Sequence, residues 1–178
     1  MFVVMFLLEM GCQNIYVAGN KDFQKNMAEN IGIKEEYFCD IRDRDFSKWL
    51  LDKTGAEGVD VFFDCVGKNE VLKQGIGGLA AKGKMMLVGN PASDMELEKN
   101  LYWKILRRQL QLIGTWNSSF THDKADDWNY VLECLQRQSI KPEKVITHRM
   151  GLESFMEGFE IMRTKREDYV KIMMINDR

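Results

Sequence analysis

Two apolar runs that each stop on glycine govern what this chain can fold into. Residues 59–67 read Val59-Asp60-Val61-Phe62-Phe63-Asp64-Cys65-Val66-Gly67, and residues 84–89 read Lys84-Met85-Met86-Leu87-Val88-Gly89, with Asn90-Pro91 turning the chain. Strands this continuously apolar are buried on both faces, as in a parallel sheet covered by helices. Helical patterns lie between them. Phe23, Met27, Ala28 and Ile31 recur at three- and four-residue spacing and predict a helix over 22–31. Phe46, Trp49, Leu50 and Leu51 predict another, ending near Thr54-Gly55. Residues 71–81 predict a helix weakened by Gly75, Gly77 and Gly78, and further helices are expected over 101–108, 126–137 and 152–163. Short strands are expected near 14–19, 37–40, 145–148 and 169–175. Residues 109–116 alternate polar and apolar, the mark of a strand exposed on one face, at an edge of the sheet. Strand and helix alternate throughout, which predicts an α/β fold with a doubly wound parallel sheet. Ligands of such sheets bind beyond the carboxyl ends of the strands, so the Gly67 and Gly89 ends are the places to look.

Composition narrows the function classes. A chain of 178 residues with 45% hydrophobic and 29% charged residues can bury a core and is not a disordered segment. A net charge of -2 gives no basic footprint for nucleic acid. The four cysteines, Cys12, Cys39, Cys65 and Cys134, form no C-x-x-C pair, which excludes a zinc ribbon and favours reduced thiols in the cytoplasm. Residues 1–8, Met-Phe-Val-Val-Met-Phe-Leu-Leu, are wholly apolar but too few to cross a bilayer, and they lack the anatomy of a signal peptide. They read as a buried element or as the stump of something longer.

No single cluster composes an active site. His122 with Asp123, Asp126 and Asp127 reads first as a solvated helix N-terminus, where acidic groups complement the dipole, and only second as a metal cluster. His148 beside Arg149 reads as structural, and Cys65 has no cationic neighbour in sequence to activate its thiol. Lys104, Arg107 and Arg108 share one helix and read as a solvated face before a phosphate-holding one. The paired strand-end glycines suggest a nucleotide crevice, yet no G-x-G-x-x-G and no phosphate-cradling P-loop occurs in the chain.

Taken in order, residues 11–33, 59–67, 83–89 and the ending Val170-Lys171-Ile172-Met173-Met174-Ile175 resemble the cofactor-binding half of zinc-dependent medium-chain alcohol and polyol dehydrogenases. Residues 104–118 are similar to the polyol-phosphate members. The likeness covers essentially everything after Glu9. It implies a Rossmann-type domain over 11–145, and a segment over 146–178 that completes the catalytic domain in full-length relatives. It implies NAD or NADP as cofactor, a polyol substrate, and hydride transfer from a secondary alcohol held by zinc. By the same likeness Cys65, Val66 and Gly67 line the adenosine side. Val88, Gly89 and Asn90 border the nicotinamide, Gly114 and Thr115 meet the carboxamide end, and Lys171 reaches the pyrophosphate.

The family's acidic residue for the adenosine ribose falls on Gly19, with Asn20 and Lys21 following, and its basic partner falls on Gln24. Loss of that carboxylate removes the repulsion of a 2′-phosphate, and Lys21 can attract one, which keeps NADP open beside NAD. The family's zinc ligands, first strand and glycine-rich turn have no counterpart here. The expectation is therefore a C-terminal half, inactive alone, with residues 1–10 the stump of the first crossover helix or a substitute strand filling the gap in the sheet. A homodimer paired through the edge near 109–115 is also expected, with neither nucleic acid nor membrane as partner. Two readings stand against this one: an α/β module binding S-adenosylmethionine at the Asp64 strand end, and a non-functional gene remnant.

Overall fold

The computed structural model describes residues 1–121 and 126–176. The chain divides into two compact units, Met1–Asp40 with Phe120–Arg178, and Ile41–Ser119. This grouping cuts across the expected boundary at 145, because Val145 and Val170 pack with Met5 and Asp168 pairs with Lys21.

In the first unit, α1 (Phe2–Glu9) leads to β1 (Val17–Gly19), α2 (Asp22–Asn30) and β2 (Phe38–Asp40). The chain returns to this unit as α6 (Asp127–Gln136), β6 (Ile146–Gly151), α7 (Phe155–Thr164) and β7 (Lys171–Ile175). β1 and β2 pair in parallel, as do β6 and β7. The apolar N-terminus is a helix, so the substitute-strand expectation is corrected. The physical reason lies in its packing. A helix apolar on every side belongs inside, and α1 contributes to two clusters at once. Met5 is buried with Cys134, Ile140 and Val145. Val4, Leu7 and Leu8 pack against Ile15, Ala28, Ile33 and Phe38.

A polar knot fixes the end of this helix. The Tyr130 hydroxyl donates to Glu9, Ser139 Oγ donates to the other carboxylate oxygen at 3.3 Å, and Arg137 lies 3.7 Å away. The Tyr130 hydrogen bond holds the Glu9 carboxyl below its ordinary 4.5, and the same bond pushes the tyrosine up from 10.0 to about 12. A depressed carboxyl contributes stability that is present above pH 4.5 and lost as pH falls through its folded value. A raised phenol contributes stability that is present below pH 10 and lost as pH rises through about 12. Tyr130→Phe is therefore expected to lower the melting temperature at neutral pH, with the gap from the parent closing toward both acid and strong alkali. A gap that is constant with pH contradicts this account.

In the second unit, α3 (Phe46–Lys53) precedes β3 (Val59–Asp64), α4 (Asn69–Gly78), β4 (Leu79–Leu87), α5 (Lys99–Arg108) and β5 (Gln111–Gly114). The three strands are parallel in the order β3-β4-β5. β5 is an edge strand, as its alternation predicts. The third helix differs from expectation: it starts at Asn69 and stops at Gly78, and β4 begins at once with Leu79. Close packing explains the glycines. A Cβ on Gly75 would sit 2.8 Å from Met85 Cε and Phe62 Cδ1, and one on Gly78 2.7 Å from Leu50 Cδ2. The helix thus lies almost on the sheet and on α3. Leu72, Ile76, Leu79, Met85 and Leu110 form the core between them.

The α/β architecture with parallel strands is the Rossmann type expected from sequence. Among the described residues the strands form three separate hydrogen-bonded groups rather than one continuous sheet.

Candidate functional site

The carboxyl ends of β3, β4 and β5 lie level, because Asp64 pairs in register with Leu87 and Leu87 with Gly114. The residues that follow each strand therefore leave the sheet along one rim: Cys65-Val66-Gly67, Val88-Gly89-Asn90 and Thr115-Trp116. Eight of the expected cofactor residues are brought together in this way.

Asp64 organises the rim. It is 2% exposed, and its Oδ1 accepts from the N–H groups of Val66 and Gly67, both at 2.9 Å. Its own carbonyl accepts from Val88 N at 2.9 Å and Gly89 N at 2.8 Å. A buried carboxylate is tolerated only when such donors satisfy it. These bonds commit the group to the loop, so it is not free for the S-adenosylmethionine role considered from the sequence. On the next strand, Thr115 N and Oγ1 donate to Leu87 O at 3.0 and 3.2 Å, stitching the end of β5 to β4.

The two glycines do something the sequence does not reveal. A Cβ on Gly67 would fall 2.5 Å from Asn90 O, and one on Gly89 2.5 Å from Gly67 N and from Val66 N. Each glycine makes room for the other's backbone. Gly67 also has φ +74, a conformation that L side chains rarely adopt. By contrast nothing lies within 4 Å of a Cβ placed on Gly114. Val66 and Val88 are both exposed, so the rim offers apolar surface and open backbone to a flat ligand. The Cys65 thiol is pushed above its ordinary value by desolvation and then by Asp64, which leaves it protonated and a poor nucleophile.

The other four expected residues belong to the first unit. Gly19 ends β1 opposite Asp40 of β2. A side chain there would meet Gln24 Oε1 and Phe38 Cζ, both at 2.7 Å. Asn20 N donates to Gln24 Oε1 at 2.8 Å. Lys21 precedes α2 and pairs with Asp168, Nζ to Oδ1 2.5 Å. Lys171 opens β7, exposed and with no ion pair among the described residues. The Lys21–Asp168 contact spans 147 positions, and no local signal in the sequence announces it.

The remaining sequence candidates resolve into structure. Asp126 caps α6, its Oδ1 accepting from Asn129 N at 2.8 Å and its Oδ2 from Thr121 N at 3.0 Å. His122 and Asp123 lie outside the described residues. His148 Nδ1 lies 2.9 Å from Thr147 Oγ1 and its Nε2 lies 3.4 Å from Glu167. Arg108 donates to Leu79 O at 2.6 Å, and Arg107 lies over the Trp103 ring at 5.0 Å. Two open clefts of about 440 and 410 Å³ are lined by the α5 face around Trp103 and by residues around Cys12 and Tyr37. None of the expected cofactor residues lines either. Among the described residues no group of three or more His, Cys, Asp or Glu side chains is placed to hold a metal. The zinc implied by the resemblance does not fit these residues, and no reaction step in this chain is assigned to it. No helix among the described residues is long and apolar enough to cross a membrane.

Residues 1–137 match the family model described as zinc-binding dehydrogenase. The chain belongs to that family. Among its relatives is an L-threonine 3-dehydrogenase of Pyrococcus furiosus, 26% identical over 165 residues, covering 92% of this chain and 45% of the relative. This zinc-binding dehydrogenase chain thus spans just under half the length of relatives it matches. Galactitol-1-phosphate dehydrogenase from Escherichia coli superposes with a TM-score of 0.75 at 16% identity, over 94% of this chain and 55% of that one. A zinc-binding dehydrogenase from Sinorhizobium meliloti 1021, bound to NADP, superposes with a TM-score of 0.80 at 20% identity, over 97% and 48%. These superpositions establish the fold as that of the cofactor-binding part of alcohol dehydrogenases.

Proposed function

We propose that this chain is the dinucleotide-binding part of a polyol dehydrogenase of the galactitol-1-phosphate type, with NAD or NADP as cofactor and the cytoplasm as its compartment. The observation that carries the reading is the level rim of β3, β4 and β5, with exposed Val66 and Val88, tightly folded glycine turns and an open Gly114. Rossmann-type sheets bind their ligands at this edge, and the NADP-bound neighbour shares the fold. The bound dinucleotide supplies hydride acceptance. The chain's own residues do the holding. Val88, Gly89 and Asn90 border the nicotinamide, and Gly114 and Thr115 take its carboxamide end. Cys65, Val66 and Gly67 line the adenosine side. In the first unit Gly19, Asn20 and Lys21 carry the ribose role and Lys171 the pyrophosphate role, which its exposed charge suits. The outer edge of β5 is the proposed surface for a homodimer.

Separation of binding from turnover tests the reading. The purified chain is expected to bind NAD(H) or NADP(H) in calorimetry, and to show no polyol-dependent formation of reduced nicotinamide. A folded chain that binds neither dinucleotide refutes the proposal. Turnover with a polyol refutes the view that the holding residues are all this chain provides.

A further inference from the structure

Cofactor choice is where the structure departs furthest from the sequence. Gly19 offers no carboxylate to the ribose, and Lys21 follows two residues later at the N-cap of α2, an arrangement that on paper invites a 2′-phosphate. The structure shows that this lysine is already engaged. Its Nζ lies 2.5 Å from Asp168 Oδ1, with the two side chains 50% and 42% exposed. The strand register adds a second carboxylate, since Asp40 sits opposite Gly19 at the end of β2.

We propose that Asp168 is a positioning residue for cofactor choice: held against Lys21 as an internal counter-ion, it occupies the charge a ribose 2′-phosphate would need and biases the chain toward NAD. The inference rests on the dinucleotide-binding reading above. The physical argument is one of competition. A phosphate monoester carries about −1.5 to −2 charges at neutral pH. To reach the Lys21 ammonium it must displace the carboxylate and then tolerate it as a like-charged neighbour. A cofactor with a free 2′-hydroxyl meets no such opposition. An exposed pair of this kind is worth up to about 1 kcal/mol, so its release is expected to change affinity about fivefold.

The test uses adenosine fragments, which isolate this end of the cofactor. Calorimetry on the full chain compares adenosine 2′,5′-bisphosphate with 5′-AMP. The parent is expected to bind 5′-AMP at least as well as the bisphosphate. Asp168→Asn is expected to strengthen bisphosphate binding about fivefold and to leave 5′-AMP within about twofold. Asp168→Glu is expected to restore the parent ratio, which a merely structural role for Asp168 would not predict. The gain is expected to vanish in the double variant Asp168→Asn with Lys21→Met. Asp168→Ser keeps the test open if Asp168→Asn does not fold: it removes the same carboxylate and is expected to give the same gain in bisphosphate binding, and a ratio unchanged from the parent overturns the assignment. If both nucleotides bind and their ratio does not move, or if the gain survives without Lys21, the role of Asp168 is refuted while the dinucleotide reading stands. If neither nucleotide binds the folded parent or its variants, the dinucleotide reading fails and takes this inference with it.

Discussion

Replacing Gly67 by alanine is expected to destabilise the protein by about 3 kcal/mol, through two separable causes. The first is conformational: a left-handed backbone at φ +74 costs an L residue about 1–2 kcal/mol. The second is steric: the new Cβ would lie 2.5 Å from Asn90 O, which is backbone and can give way only by moving the turn after β4. Overpacking of this sort costs about 1–3 kcal/mol. Gly89→Ala meets the same wall from the other side, 2.5 Å from Gly67 N, with no φ penalty, so about 2 kcal/mol is expected. Gly114→Ala, with nothing within 4 Å, is expected to stay within about 0.5 kcal/mol of the parent. Urea denaturation followed by circular dichroism ranks the three. A Gly67→Ala midpoint equal to that of Gly114→Ala would show that the strand-end turns do not pack against one another in solution.

Asp64→Ala is expected to cost as much, about 3–4 kcal/mol, by a different route. Two N–H donors lose a charged acceptor held at 2.9 Å, and the Gly67 N–H is buried with it. Hydrogen bonds to charged groups contribute about 1.5–3 kcal/mol each, and an abandoned buried donor forfeits its hydration as well. Asp64→Asn keeps a carbonyl oxygen where Oδ1 now sits and is expected to lose only about 1–2 kcal/mol. The loop between β3 and α4 should open in the alanine variant, so amide exchange at Val66 and Gly67 is expected to accelerate more than exchange in the β3–β4 ladder. Equal loss for alanine and asparagine would show that the carboxylate acts by some means other than accepting these two bonds.

What the sequence made legible follows physical lines. β3 and β4 announce themselves because their runs are apolar almost throughout and glycine ends each one, but the expectation of burial on both faces is corrected: Asp60 and Val61 of β3 and Lys82 and Lys84 of β4 are exposed. β5 is readable as an edge from its polar–apolar alternation, although in the structure Gln111 and Leu112, on opposite faces, are both exposed. α1 is ambiguous in sequence because eight consecutive apolar residues carry no periodicity to separate helix from strand, although only Met5 of the helix is buried. The end of α4 differs from expectation because Leu79-Ala80-Ala81 continues the apolar pattern of the helix while the chain in fact enters β4 at Leu79. In the candidate site, the strand ends themselves point to Gly67 and Gly89, and the other rim residues come from the family resemblance. The mutual packing of Gly67 and Gly89, and the capture of Lys21 by Asp168, depend on chain segments brought together only by folding. Nothing local encodes either of them.

The make-up of the first unit bears on the order of events at the ribosome. Ile41–Ser119 is one continuous stretch and can close its core as it emerges. α1, apolar but for Glu9, cannot. Its partners Cys134, Ile140 and Val145 are translated much later, after the whole second unit. Throughout that interval Met5 lacks these partners, and the helix offers apolar side chains to a holding chaperone. Yield in cells should therefore respond more to chaperone supply, and to polar substitutions on α1, than the equilibrium stability of the finished chain would suggest.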